Sequence, residues 1–129
     1  MNKIIVEVSI GELLDKISIL EIKQEKIKDP EKLKFINNEY SILKDQLKKN
    51  LKSDDKLNNL YQSLKEINTK LWVIEDDKRQ CEKDKDFGEK FIKLSRDVHF
   101  LNDDRAKIKL EINNHTGSAI KEIKEYTNY

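Results

Sequence analysis

Apolar positions recur along most of the chain at alternating steps of three and four residues. Phe87, Phe91, Leu94, Val98, Leu101, Arg105, Ile108 and Ile112 follow one another at steps of 4, 3, 4, 3, 4, 3 and 4, the spacing that turns one face of an α-helix toward a core. The same alternation runs through Leu57, Leu60, Leu64, Ile67, Leu71, Ile74, Lys78 and Cys81, and through Leu33, Ile36, Tyr40, Leu43 and Leu47. A fourth segment is apolar around more than one face: Ile10, Leu13, Ile17, Leu20 and Ile27 mark one stripe, and Leu14, Ile19 and Ile22 widen it. A helix so wrapped in aliphatic side chains has to be covered by more than one neighbour. That neighbour is either the rest of this chain or a second subunit.

Local signals set the boundaries. Ser9-Ile10-Gly11-Glu12 fits a capping box, with Val8 and Leu13 in the staple positions, so a first helix begins near Ile10. Asp29-Pro30 ends that helix near residue 27 and caps a second over about 30–51. Ser53-Asp54-Asp55 starts a third over about 54–83, the turn Asp84-Lys85-Asp86 leads to a fourth over about 87–115, and Gly117 suits its left-handed cap. A short turn makes the last two helices an antiparallel hairpin. Ahead of them, Ile4, Ile5, Val6 and Val8 read as a strand or extended arm over residues 2–8. The tail, 118–129, has weak periodicity and reads as extended or frayed, with pairing against the arm as one option. The architecture expected is all-α in one domain spanning 1–129: a four-helix bundle, coiled-coil-like in spacing, or a long hairpin with two packed helices, plus the arm.

Composition agrees with helices. Only three glycines and one proline occur in 129 residues, too few turn residues for a sandwich, a barrel or a doubly wound sheet. Lysine plus arginine (26) nearly cancels aspartate plus glutamate (25), and the two signs interleave along every helix, so nucleic acid is not an expected partner. No apolar run approaches the ~18 residues that span a bilayer, so no membrane is expected either. A lone Cys81 permits no internal disulfide and suits a reducing compartment, and the cytoplasm is the expected location.

Candidate chemistry lies in the departures from the stripes. Arg105 occupies a seam position between Leu101 and Ile108, where an unpaired charge is costly. The chain uses 23 lysines and three arginines, so Arg79, Arg96 and Arg105 depart from its own habit. A guanidinium presents a planar fork to carboxylate or phosphate that an ammonium lacks. Each arginine therefore reads either as an anion clamp or as one half of an ion pair that fixes register. Beside the third seam, Asn68, Trp72, Glu75, Arg79 and Glu82 form a second stripe. In a hairpin turning near residue 85 it comes level with Arg96, His99 and Asn102, which would form a groove for a small anion. The blander alternative makes Glu75 and Arg79 a surface pair and Trp72 core. Lys109, one turn beyond Arg105, completes the candidate ligand-binding set of Trp72, Glu75, Arg79, Arg96, His99, Arg105 and Lys109. Glu12 and Asp15 suggest a magnesium pair, but Asp76-Asp77 and Asp103-Asp104 have the wrong spacing to complete it, and Glu12 can pair with Lys16 instead. His99 and His115 lack a zinc spacing and no phosphate loop occurs, so no metal or other cofactor is implied.

Four stretches carry a resemblance: Ser9-Ile10-Gly11-Glu12-Leu13-Leu14-Asp15-Lys16-Ile17-Ser18-Ile19-Leu20-Glu21-Ile22-Lys23; Leu71-Trp72-x-Ile74-Glu75-Asp76; Asp86-Phe87-Gly88-Glu89; and Asn102-Asp103-x-Arg105-Ala106-x-Ile108-Lys109-x-Glu111-Ile112-Asn113. Through them the chain resembles an uncharacterised bacterial family of short all-helical proteins, a domain of unknown function sometimes found beside sugar-transfer proteins. The resemblance implies that Ser9, Glu12, Asp15, Lys16, Trp72, Glu75, Phe87, Arg105 and Lys109 belong to its signature, and it implies no reaction. The expected function is a protein-interaction or self-association module, with a second copy or another protein as partner. The alternative is a binding protein or enzyme for a small anionic metabolite, such as a phosphorylated sugar or nucleotide, in the groove between the third and fourth helices.

Overall fold

The computed structural model describes residues 2–129. Four helices follow one another: α1 (Ile10–Lys26), α2 (Pro30–Asn50), α3 (Asp55–Asp84) and α4 (Glu89–Thr116). Their ends are where side chains satisfy the orphan amides. Ser9 Oγ accepts from the Glu12 amide at 3.0 Å, Asp29 from the Glu31 amide at 3.1 Å and Asp54 from the Leu57 amide at 2.8 Å. The reciprocal half of the capping box does not form, because the Glu12 carboxylate turns to Lys109 instead. Lys85 (φ 53°) and Gly117 (φ 66°) close α3 and α4 in the left-handed conformation. Helix α4 starts two residues later than Phe87, because Asp86 accepts from the Gly88 amide and holds Phe87 in the turn.

The four helices pack together as an all-α bundle, built as a hairpin with two added helices. Helices α3 and α4, about 45 Å and 42 Å long at 1.5 Å per residue, pack against each other, and α1 packs on all three other helices, whereas α2 lies along α1 alone. Helix α1 crosses the hairpin obliquely: Gly11 and Asp15 meet α4 at Asn113 and Arg105, while Glu21 and Glu25 meet α3 at Tyr61 and Lys65. This central position explains why the apolar surface of α1 extends beyond one face. One buried cluster of the core joins Leu14, Leu57, Leu64 and Ile112, with Leu47 and Leu51 reaching it from the end of α2. Past Trp72 on α3 and Asn102 on α4 the hairpin continues to its turn, and Cys81 is the one buried residue on that stretch.

Gly11 sets how close α1 and α4 come. A Cβ there would lie 2.6 Å from the Lys109 carbonyl oxygen and 3.0 Å from Asn113 Oδ1. The missing side chain lets the Gly11 amide donate to Asn113 Oδ1 at 2.7 Å.

The arm over 2–8 has no strand partner among the described residues and is exposed throughout. The tail does not pair with it. Ser118 Oγ accepts from the Ile10 amide at 3.1 Å, and the rest of the tail runs beside α4, ending with the Tyr129 ring against His99 and Phe100. Among the described residues no helix is long and apolar enough to cross a membrane.

Candidate functional site

Where α1 crosses α4, a charged cluster gathers around one buried carboxylate. Asp15, 1% exposed, accepts from Arg105 through both carboxylate oxygens: Nε reaches Oδ1 at 3.0 Å and Nη2 binds Oδ2. Asn68 Nδ2 donates to the same Oδ1 at 2.8 Å and to Ser18 Oγ at 2.8 Å, while Ser18 donates to the Asp15 carbonyl at 2.7 Å. Lys109 lies beside them, 2.7 Å from Glu12, 3.3 Å from Glu122 of the tail and 3.7 Å from Asp15. The Arg105 guanidinium is held above its ordinary pKa by the hydrogen bonds it donates to Asp15, which outweigh burial. Glu122 sits below the ordinary carboxylate range, chiefly through its hydrogen bond with Lys124 and then the charge of Lys109. Among the described residues no buried side-chain polar atom lacks a partner. The cluster is a closed network, as a register-fixing element is.

A second polar station joins α1, α2 and α3. Glu21 accepts from Tyr40 at 2.9 Å and from Tyr61, with Lys65 at 3.9 Å. Burial first, and then the adjacent carboxylate, pushes the Tyr40 hydroxyl up to about 12, and the same causes raise Tyr61 further.

Two cavities flank Arg105. The larger, about 720 Å³, lies between α4 and the tail and is lined by Glu12, His99, Arg105, Lys109, Glu122, Tyr129 and neighbours. The smaller, about 470 Å³, is lined by Asn68, Trp72, Glu75, Asp76 and Arg79 of α3, Asn102 and Arg105 of α4, and Ile19 and Ile22 of α1. The seven candidate ligand residues are thus divided. Trp72, Glu75, Arg79 and Arg105 share the smaller cavity, and His99, Lys109 and Arg105 the larger. Arg96 lines neither and lies over the Phe100 ring at 5.8 Å. The groove expected between two helices has α1 as a third wall. His99 and Arg96 fall away from Trp72 because each three-residue step on a helix of 3.6 residues per turn rotates about 60° short of a full turn. Glu75 and Arg79 form no ion pair within 4.0 Å, so the surface-pair reading of that spacing does not hold.

Of the residues in these stations, Asn68 stands on the second stripe of α3 and Tyr40 on the stripe of α2, whereas Ser18, Glu21 and Tyr61 are not singled out by spacing. Asp15, a candidate metal ligand by its distance in sequence from Glu12, is instead bound to Arg105. Among the described residues no group of three or more His, Cys, Asp or Glu side chains could hold a metal ion.

The model of a family described as "Family of unknown function (DUF6165)" matches residues 4–129. The chain belongs to the DUF6165 family. The match takes in both polar stations and both cavities, so the DUF6165 model extends over α1 to α4 and the tail alike. No curated protein and no solved structure matches the chain.

Proposed function

We propose that this DUF6165 protein is a non-catalytic helical module that associates with its own copies. The observation that carries this reading is the arm. Ile4, Ile5, Val6 and Val8 are 91, 84, 69 and 43% exposed, a run of β-branched side chains that the described residues leave largely open. Contiguous apolar surface of this kind marks an interaction site. Two further features support it. The cations of the buried cluster are already matched by carboxylates, so its chemistry is spent within the fold. The net charge of +1 offers little repulsion between copies. The buried Cys81 fits the reducing cytoplasm as the place of action. Light scattering on a size-exclusion column over a wide concentration range tests the reading. Association that weakens in the Ile4→Ser/Val6→Ser variant is the expected result, and a wild-type monomer at every concentration overturns it.

A second reading is favoured by one observation. Arg79, without an ion pair among the described residues, lines the same 470 Å³ cavity as Trp72 and Arg105, which suits a small anion carrying an aromatic or sugar ring. A phosphorylated sugar or nucleotide at 100 times its dissociation constant would add about 2.7 kcal/mol to stability. A thermal shift present in wild type and lost in Arg79→Leu supports it, and no shift with either class of ligand ends it.

A further inference from the structure

The arm contains a symmetry that selects its partner. Lys3 and Glu7 are equidistant from Ile5, and Ile4 and Val6 flank it, so the stretch is complementary to its own reverse. We infer that the arms of two copies pair as antiparallel strands, with the two-fold axis through Ile5. This rests on the self-association reading and names its surface and its register.

The pairing follows from charge and from the two-residue period of a strand. In this register residue i faces residue 10 − i of the other copy. Lys3 lies opposite the partner's Glu7, Ile4 opposite the partner's Val6, and Ile5 opposite its own counterpart, an isologous contact of the kind a two-fold dimer requires. Opposite charges directly across a strand pair stabilise it, and like charges destabilise it. Parallel in-register pairing would set Lys3 on Lys3 and Glu7 on Glu7. Antiparallel pairing slipped by one residue in either direction would set Lys3 against Val6 or Val8 and leave both ion pairs unmade. The chosen register also sorts the faces. Lys3, Ile5 and Glu7 project to one side, and Ile4, Val6 and Val8 from each copy to the other, gathering six aliphatic side chains on a single surface. The arm is free to do this: it is exposed from residue 2 to residue 8 and is anchored only where Ser9 caps α1. A two-stranded ribbon by itself is marginal, so the association should be reversible on dilution.

Sedimentation of the full chain provides the test. Lys3→Glu alone, or Glu7→Lys alone, turns two attractive pairs into two repulsive ones and should weaken self-association about tenfold or more. Mixing the two variants should restore it, because one chain then carries an acid at both positions and faces a chain that carries a base at both. The double variant Lys3→Glu/Glu7→Lys should restore it as well. In a Cys81→Ala background, mild oxidation of Ile4→Cys mixed with Val6→Cys should give a disulfide-linked heterodimer, and either variant alone should give little. Helix content is checked by circular dichroism and should not change, since the arm lies outside the core. A wild-type monomer overturns both the inference and the reading beneath it. A wild-type oligomer that ignores the charge reversals and cross-links without preference for the mixed pair overturns the arm register alone and leaves self-association standing.

Discussion

Replacing Arg105 with methionine removes the cation that compensates a deeply buried carboxylate. The Asp15 side chain is 2% exposed and that of Arg105 29%. In Arg105→Met the carboxylate keeps the Asn68 amide at 2.8 Å and Lys109 at 3.7 Å, but loses two charge-assisted hydrogen bonds. Breaking a buried pair from one side costs about 3–5 kcal/mol. The partial exposure of Arg105 and the presence of Lys109 reduce this to about 2–4 kcal/mol, still a large share of the ~5–15 kcal/mol that holds a domain folded. With a urea slope of about 1–3 kcal/mol per molar, the unfolding midpoint should fall by roughly 0.7–4 M. Asp15→Asn should be milder, because the stranded guanidinium can turn toward water. The double variant Asp15→Asn/Arg105→Met should lose clearly less than the sum of the single losses, by about 0.5–3 kcal/mol. A loss under about 0.5 kcal/mol in Arg105→Met, the range of an ordinary surface substitution, or strict additivity in the cycle, refutes the view that this pair is a structural lock.

Gly11→Ala should destabilise by about 1–3 kcal/mol despite the roughly 1 kcal/mol that alanine gains in helix propensity, because the atom it meets at 2.6 Å is backbone and cannot swing aside. Thermal unfolding checks this, and a raised melting temperature contradicts it. Leu64→Ala should lose about 2–5 kcal/mol, and Leu94→Ala less than half as much, since Leu64 is fully buried and Leu94 only half-buried; equal losses would show the far part of the hairpin to be as well packed as the crossing. Alkaline pH should also weaken the fold. The Tyr40 hydroxyl is pushed up to about 12 from an unfolded value near 10, so its contribution is complete below pH 10 and disappears as pH rises through the folded value. Tyr40→Phe should flatten that decline in unfolding measurements between about pH 10 and 12, and an unchanged slope would argue against the Glu21 station.

Helix ends were the most legible part of the chain, because the capping groups are short-range and act through their own neighbours. Ser9, Asp29-Pro30, Asp54 and Gly117 all work where they stand in sequence. Packing partners were harder to read. The need for company at Arg105 was visible from its seam position, but its partner was not, since Asp15, three residues from Glu12, reads as one half of a magnesium pair. A signal did exist: Gly11, Leu14, Asp15, Ser18 and Ile22 fall on one helical face, and two small residues on it permit close approach. The division of the candidate site residues between two cavities depended on helix phase accumulated over several turns and on α1 crossing obliquely. Neither is encoded in the spacing of a single stripe.

The stretch of hairpin beyond the crossing has a thermodynamic consequence of its own. With one interior side chain, Cys81, to hold it, this end can open without dragging the remainder of the molecule with it. Amide hydrogens near residues 76–98 should therefore exchange with deuterium through a shallow, partial excursion, while those around Leu64 and Ile112 wait for complete denaturation. Two helices that share one turn would then keep time on two separate clocks.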